Sequence, residues 1–141
     1  MSDVMEVLVE QIGPSTSRGT ARSHTVLVDR PLAKEGADQG PLGGELLLLS
    51  LGGCFMSNLL AAGRARSAPL DGARVTVSGT IDGTPARFSS ITLRLEASGD
   101  LEQLRKLGTI AERACLVTNT LRPAVTVSVV VEEAAGGHGA R

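Results

Sequence analysis

The sequence predicts an α+β protein in which strands gather around one long apolar helix, and three observations predict it. Leu46 to Gly63 runs for eighteen residues without a charge. Segments 74–81, 90–97 and 125–131 alternate apolar and polar residues, as half-buried strands do. Between the second and third of these, Asp100 to Ala114 repeats its apolar residues at helical spacing, with Glu102, Arg105, Lys106, Glu112 and Arg113 on the other face.

Val4 to Ile12 reads as the first strand, and Gly13 to Arg22 as a turn-rich stretch. HTVLVD (His24 to Asp29) is a second short strand, and the Pro, Gly and charged residues of 30–44 make a loop. Glu45 to Ala65 is the apolar helix, after which Ser67 to Gly72 forms another loop. Arg74 to Ile81 puts Val75, Val77, Gly79 and Ile81 on one face, and Ser90 to Ala97 does the same with Ile91, Leu93, Leu95 and Ala97. Asp100 is a natural N-cap, and Gln103 three residues on completes a capping-box pattern. Cys115 falls at the end of that helix, a short turn covers Thr118 to Leu121, and Pro123 stops it before the last strand. Residues 1–133 are expected to form one domain and 134–141 (AAGGHGAR) a disordered tail.

At 141 residues, 42% hydrophobic, the chain has one domain's length and buries roughly two-thirds of its unfolded surface without staples. It has no Trp or Tyr and only Phe55 and Phe88, so the core must be aliphatic and base-stacking platforms are missing. Fourteen basic side chains against fifteen acidic ones give a formal net charge of -1. No nucleic-acid partner is expected from that balance.

MSDVMEV carries two acids and no Lys or Arg, which is not a secretory or transit leader, so a cytoplasmic location is expected. The charge-free segment is at the threshold for a membrane span. Ser50, Gly52, Gly53, Ser57, Asn58 and Gly63 interrupt it, and a buried soluble helix with no membrane partner is the preferred reading. Such a helix is apolar nearly all round and has to be covered on every side, which one curved sheet cannot do. A second copy of the helix would do it, so an obligate homodimer is expected.

Two cysteines in a reducing compartment read as free, transient or catalytic thiols more than as a structural disulfide. Cys54 follows Gly52-Gly53 inside the apolar helix, and Cys115 closes the amphipathic one. Either can be a small buried hydrophobe. Both can be reactive if the helices pack together and a cation such as Arg18 or Arg22 stands by. His24 and His138 have no clustered partners, so neither a metal nor a cofactor is expected.

The stretch GADQGPLGGELLLLSLGGCF (Gly36 to Phe55), together with ERACLVTNTLRP (Glu112 to Pro123), resembles the OsmC/Ohr family of thiol-dependent hydroperoxide-reducing proteins, and its broad OsmC-like branch more than the organic hydroperoxide resistance proteins. The order of elements from about residue 5 to 133 is similar too. The resemblance implies an OsmC-like fold, with antiparallel six-stranded sheets wrapping two central helices in an intertwined homodimer. It implies a peroxidase of organic hydroperoxides in which Cys54 becomes a sulfenic acid and Cys115 resolves it as a disulfide. An external dithiol, of lipoyl type in classical members, resets the pair. Those members also clamp an arginine over the thiolate with a glutamate ten residues before the first cysteine. Here that position is Gly44 and the acid is Glu45, a shift of about 100 degrees around a helix. Glu45 therefore has two readings, a catalytic partner or a first-turn acid favouring the helix dipole. Arg18, in the loop after the first strand, matches the clamp arginine best, with Arg22 as fallback. A non-catalytic dimer that binds a hydrophobic ligand or senses redox state is the alternative function.

Overall fold

The computed structural model describes residues 2–134 and divides into two compact units, residues 1–47 and residues from 48 onward. The tail expected beyond Ala134, with His138, lies outside the described residues. Ala134 itself donates its N–H to the Ala97 carbonyl.

The first unit holds three antiparallel strands in sequence order, β1 (Leu8–Gln11), β2 (Ser17–Ala21) and β3 (His24–Val28). β2 corrects the reading of 13–22 as turn alone. Its sequence, SRGTA, is polar with a central glycine, and it is a strand because it is paired on both edges. Gly19 is buried in the middle of β2, where an added Cβ would lie 3.4 Å from a Val26 methyl. A helical turn at Leu32–Lys34 interrupts the following loop. Gly40 lies so near β3 that an added Cβ would collide with the Leu27 carbonyl. Only glycine permits that approach.

Helix α1 (Gly43–Ala65) begins two residues earlier than expected. Leu51, Phe55, Leu59 and Ala62, spaced one turn apart, form its buried stripe. Leu49, Gly53, Ser57 and Ala61 are exposed on the described chain. By length and composition α1 could cross a membrane, with a mean hydropathy of 1.7 over its most apolar window, of which 28% is buried.

The second unit continues with β4 (Arg74–Asp82), β5 (Arg87–Ala97), α2 (Leu101–Ala114), α3 (Leu116–Leu121) and β6 (Thr126–Glu133). The sheet order is β4-β5-β6. The first pair is an antiparallel hairpin and the second is parallel, because α2 and α3 form the crossover. The alternation of β4 holds as far as a register shift between Thr80 and Ile81, which leaves Ile81 exposed instead of joining its expected face. On β5, Ile91, Leu93, Leu95 and Ala97 are fully buried. Asp100 caps α2 as expected, accepting from the Gln103 N–H at 3.1 Å. The buried stripe of α2 is Leu104, Leu107, Gly108 and Ala111. One aliphatic cluster joins the stripes of α1, β5 and α2, with Cys115 inside it.

Candidate functional site: two free thiols and their polar neighbours

Cys54 lies mid-way along α1, one position before the buried Phe55, and is half-buried. It packs against the aliphatic cluster. One turn on, Asn58 donates its side-chain amide to the Cys54 carbonyl at 2.9 Å, and the same nitrogen stands 3.9 Å from the Cys54 sulfur.

Cys115 is fully buried and is a member of that cluster. It is both the last cap of α2 and the N-cap of α3, its N–H bonding to the Glu112 carbonyl and its sulfur accepting from the Thr118 N–H at 3.5 Å. That cap starts α3 at Leu116, two residues before the expected turn. The Thr118 hydroxyl is fully buried and, among the described residues, has no hydrogen-bond partner. An orphaned buried hydroxyl costs about 1–3 kcal/mol. Both cysteines are free.

The other sequence-predicted residues lie in the first unit. Arg18 is not in a loop but on β2, directly opposite Glu10 on β1, and its guanidinium lies 3.7 Å from the Glu10 carboxylate with both side chains about half exposed. Arg22 sits in the β2–β3 turn with φ 56°, a left-handed conformation. Glu45 turns back to accept the Leu42 N–H at 2.8 Å, satisfying a backbone donor at the start of α1. It stands nine positions before Cys54, which on a helix of 3.6 residues per turn is the opposite side. Gly44, at the family's carboxylate position, is exposed in the first turn.

Asp29, which sequence reasoning treated only as the end of a strand, is the polar hub of the first unit and is 3% exposed. Burial pushes its carboxyl up, but hydrogen bonds from the Thr16 and Ser15 hydroxyls and from the Arg30 and Gln39 N–H groups outweigh burial and hold it well below the usual carboxylate range. A cleft of about 320 Å³ beside it is lined by Ser15, Ser17, Arg30, Lys34 and Gly43 among others, and contains neither Arg18 nor Glu45. Among the described residues, no three His, Cys, Asp or Glu side chains come together as metal ligands.

The comparisons with known proteins agree with this architecture. Residues 36–130 match the OsmC family model, described as OsmC-like protein. No curated protein is a significant match in sequence. Among solved structures, an OsmC-like protein from Mycoplasma pneumoniae superposes with TM-score 0.80 at 17% identity, covering 95% of this chain and 99% of that one. An organic hydroperoxide resistance protein OsmC from Legionella pneumophila gives 0.72 at 17%, covering 93% and 99%. An organic hydroperoxide resistance protein from Elizabethkingia anophelis gives 0.73 at 18%, covering 94% and 99%. With both cysteine-bearing elements inside the matched segment, and the fold shared over nearly the whole length, the chain belongs to the OsmC/Ohr family of OsmC-like proteins.

Proposed function

We propose that this protein is a thiol-dependent reductase of organic hydroperoxides, with residues 1–133 acting as one OsmC-like domain in a cytoplasmic homodimer. The observation that carries the reading is the pairing of one half-exposed and one buried free thiol on the same aliphatic cluster, inside a family some of whose solved members are named for organic hydroperoxide resistance. The Cys54 thiolate attacks the distal oxygen of the hydroperoxide, the O–O bond breaks, and the alcohol leaves with a proton. The sulfenic acid on Cys54 then condenses with the Cys115 thiol, forming the disulfide and releasing water. An external dithiol returns both thiols by two exchanges and leaves as its own disulfide. Apolar surroundings, including Leu51, Phe55 and Met56, favour an organic tail over hydrogen peroxide.

The homodimer reading is supported by the aliphatic side chains left exposed on α1 and the first sheet, Leu49, Leu8, Val9 and Val26 among them. A second reading, a dimer that binds a hydrophobic ligand or senses redox state without turnover, draws support from the engagement of Arg18 by Glu10 and of Glu45 by the Leu42 N–H. Titration of free thiols with cumene hydroperoxide separates the two. Stoichiometric loss of both thiols in wild type, with a sulfenic acid trapped in Cys115→Ser and no reaction in Cys54→Ser, is expected. Retention of both thiols in wild type through one equivalent rejects the reductase.

A further inference from the structure

We infer that Asn58 is a catalytic hydrogen-bond donor to the Cys54 sulfur, a neutral group that holds the thiolate and then the sulfenate oxygen. The inference rests on the reading of Cys54 as the attacking thiol and adds a residue to it.

The geometry begins with helix spacing. Residues i and i+4 share a face, so Asn58 lies one turn below Cys54 along the same side of α1. The Cys54 carbonyl can only accept, so the end of the amide that faces it at 2.9 Å must be the NH2 group, and the choice between nitrogen and oxygen is settled chemically. An NH2 group has two hydrogens. One is spent on the carbonyl, and that bond fixes the amide plane while the same nitrogen stands 3.9 Å from Sγ, leaving the second hydrogen for the sulfur. Such a contact is long for a neutral thiol. It strengthens when the sulfur becomes an anion, because hydrogen bonds to charged groups are about twice as strong as neutral ones.

The residue has no structural reason to be an amide. Asn is a poorer helix former than Ala, and a side chain that bonds back to its own helix competes with the backbone ladder. The neighbouring core positions of α1, Phe55 and Leu59, are apolar and fully buried. An amide held at the one place on this helix where it meets a thiol is explained by the thiol. Being neutral, it needs no ion pair to keep it in place and does not titrate, whereas Arg18 lies in an exposed ion pair and Arg22 in a turn.

The test uses the full chain in a Cys115→Ser background, where Cys54 is the sole thiol. Cys54 is alkylated with iodoacetamide from pH 5 to 10 and, separately, oxidised with cumene hydroperoxide with the sulfenic acid trapped by dimedone. Removing a donor to the thiolate leaves less of it at neutral pH but makes what is left more nucleophilic. In Asn58→Ala the alkylation midpoint is expected to rise by about one pH unit, the rate at pH 7 to fall about three-fold, and the alkaline plateau to rise by a similar factor. Thermal stability should hold or increase, since Ala favours the helix. Asn58→Asp, of the same shape but without the donor and with a like charge, should react more slowly still at pH 7; it also serves if the Ala variant folds poorly. Profiles for both variants that superimpose on the parent overturn the inference. If the parent forms no sulfenic acid but the alkylation profile still depends on Asn58, the hydroperoxide reading fails and the donor stands. Sulfenic acid formation with no dependence on Asn58 has the opposite meaning.

Discussion

The Thr118 N–H donates to the Cys115 sulfur at 3.5 Å, so a thiol does the work at the start of α3 that a hydroxyl or carboxylate usually does. The same atom is the one proposed to resolve the oxidised partner. A resolving thiol that is also a helix cap is held in one rotamer while reduced.

Serine at this position supplies a better cap in nearly the same volume. Cys115→Ser should therefore fold within about 1 kcal/mol of wild type, while Cys115→Ala, which leaves the Thr118 N–H without its acceptor, should lose about 1 kcal/mol more. Urea denaturation under reducing conditions measures the difference. Neither variant should form an intrachain disulfide on treatment with cumene hydroperoxide, as seen on non-reducing gels.

Thr118→Val replaces an orphaned buried hydroxyl by a methyl of similar shape. Stability should rise by about 1–2 kcal/mol in urea denaturation, since the desolvation cost of the hydroxyl disappears. A fall in stability would mean that the hydroxyl is satisfied in solution.

The acid dependence of the first unit follows from Asp29. Its folded-state carboxyl is held below its ordinary value of 3.8, so the ionised group contributes stability in full above that value, and the contribution is lost as pH falls from there through the lower folded-state value. Asp29→Asn should be less stable than wild type at pH 7, and its stability should vary less with pH between about 5 and 2. Circular dichroism melts across that range read both effects.

Adjacent glycines on α1 should respond in opposite directions. An added Cβ at Gly52 meets a methyl of the stiff Val77 side chain at 2.8 Å, so Gly52→Ala should cost about 1–3 kcal/mol through overpacking, less whatever helix propensity returns. At Gly53 an added Cβ would meet no packed neighbour within 4 Å among the described residues, and Gly53→Ala should stabilise the chain by about 1 kcal/mol. Gly53→Leu adds a bulk that only a partner would feel. Conversion to monomer by light scattering is the expected outcome if the exposed face of α1 is the dimer contact.

Much of the second unit was legible because its signals are local. β4, β5 and α2 follow from alternation and capping residues alone, and Asp100 does what its position predicts. β2 was not legible, since SRGTA has no strand signal of its own and owes its conformation to neighbours on both edges. Ile81 was misassigned to a face because alternation cannot report a register shift. In the candidate site the cysteines carried the motif, whereas Asn58 was read as an interruption of the apolar helix and Thr118 as the start of a short turn. A lone amide one turn from Cys54 in an otherwise apolar helix was the available signal. Asp29 gave none, because its partners Thr16 and Gln39 come from segments that look like unstructured loop.

The parallel pairing of β5 with β6 also bears on how the chain is made. Ser90 faces Thr126 and Ala97 faces Glu133, so this edge closes only after α2 and α3 have been laid across the sheet, whereas the β4–β5 hairpin forms from neighbouring residues. As the chain leaves the ribosome, β5 waits with Ile91, Leu93 and Leu95 beside an open edge until the last strand emerges. A premature stop before Thr126 would therefore leave the most buried strand of the protein free to pair with another nascent chain, making the loss of a short final strand an aggregation defect and not a trimming.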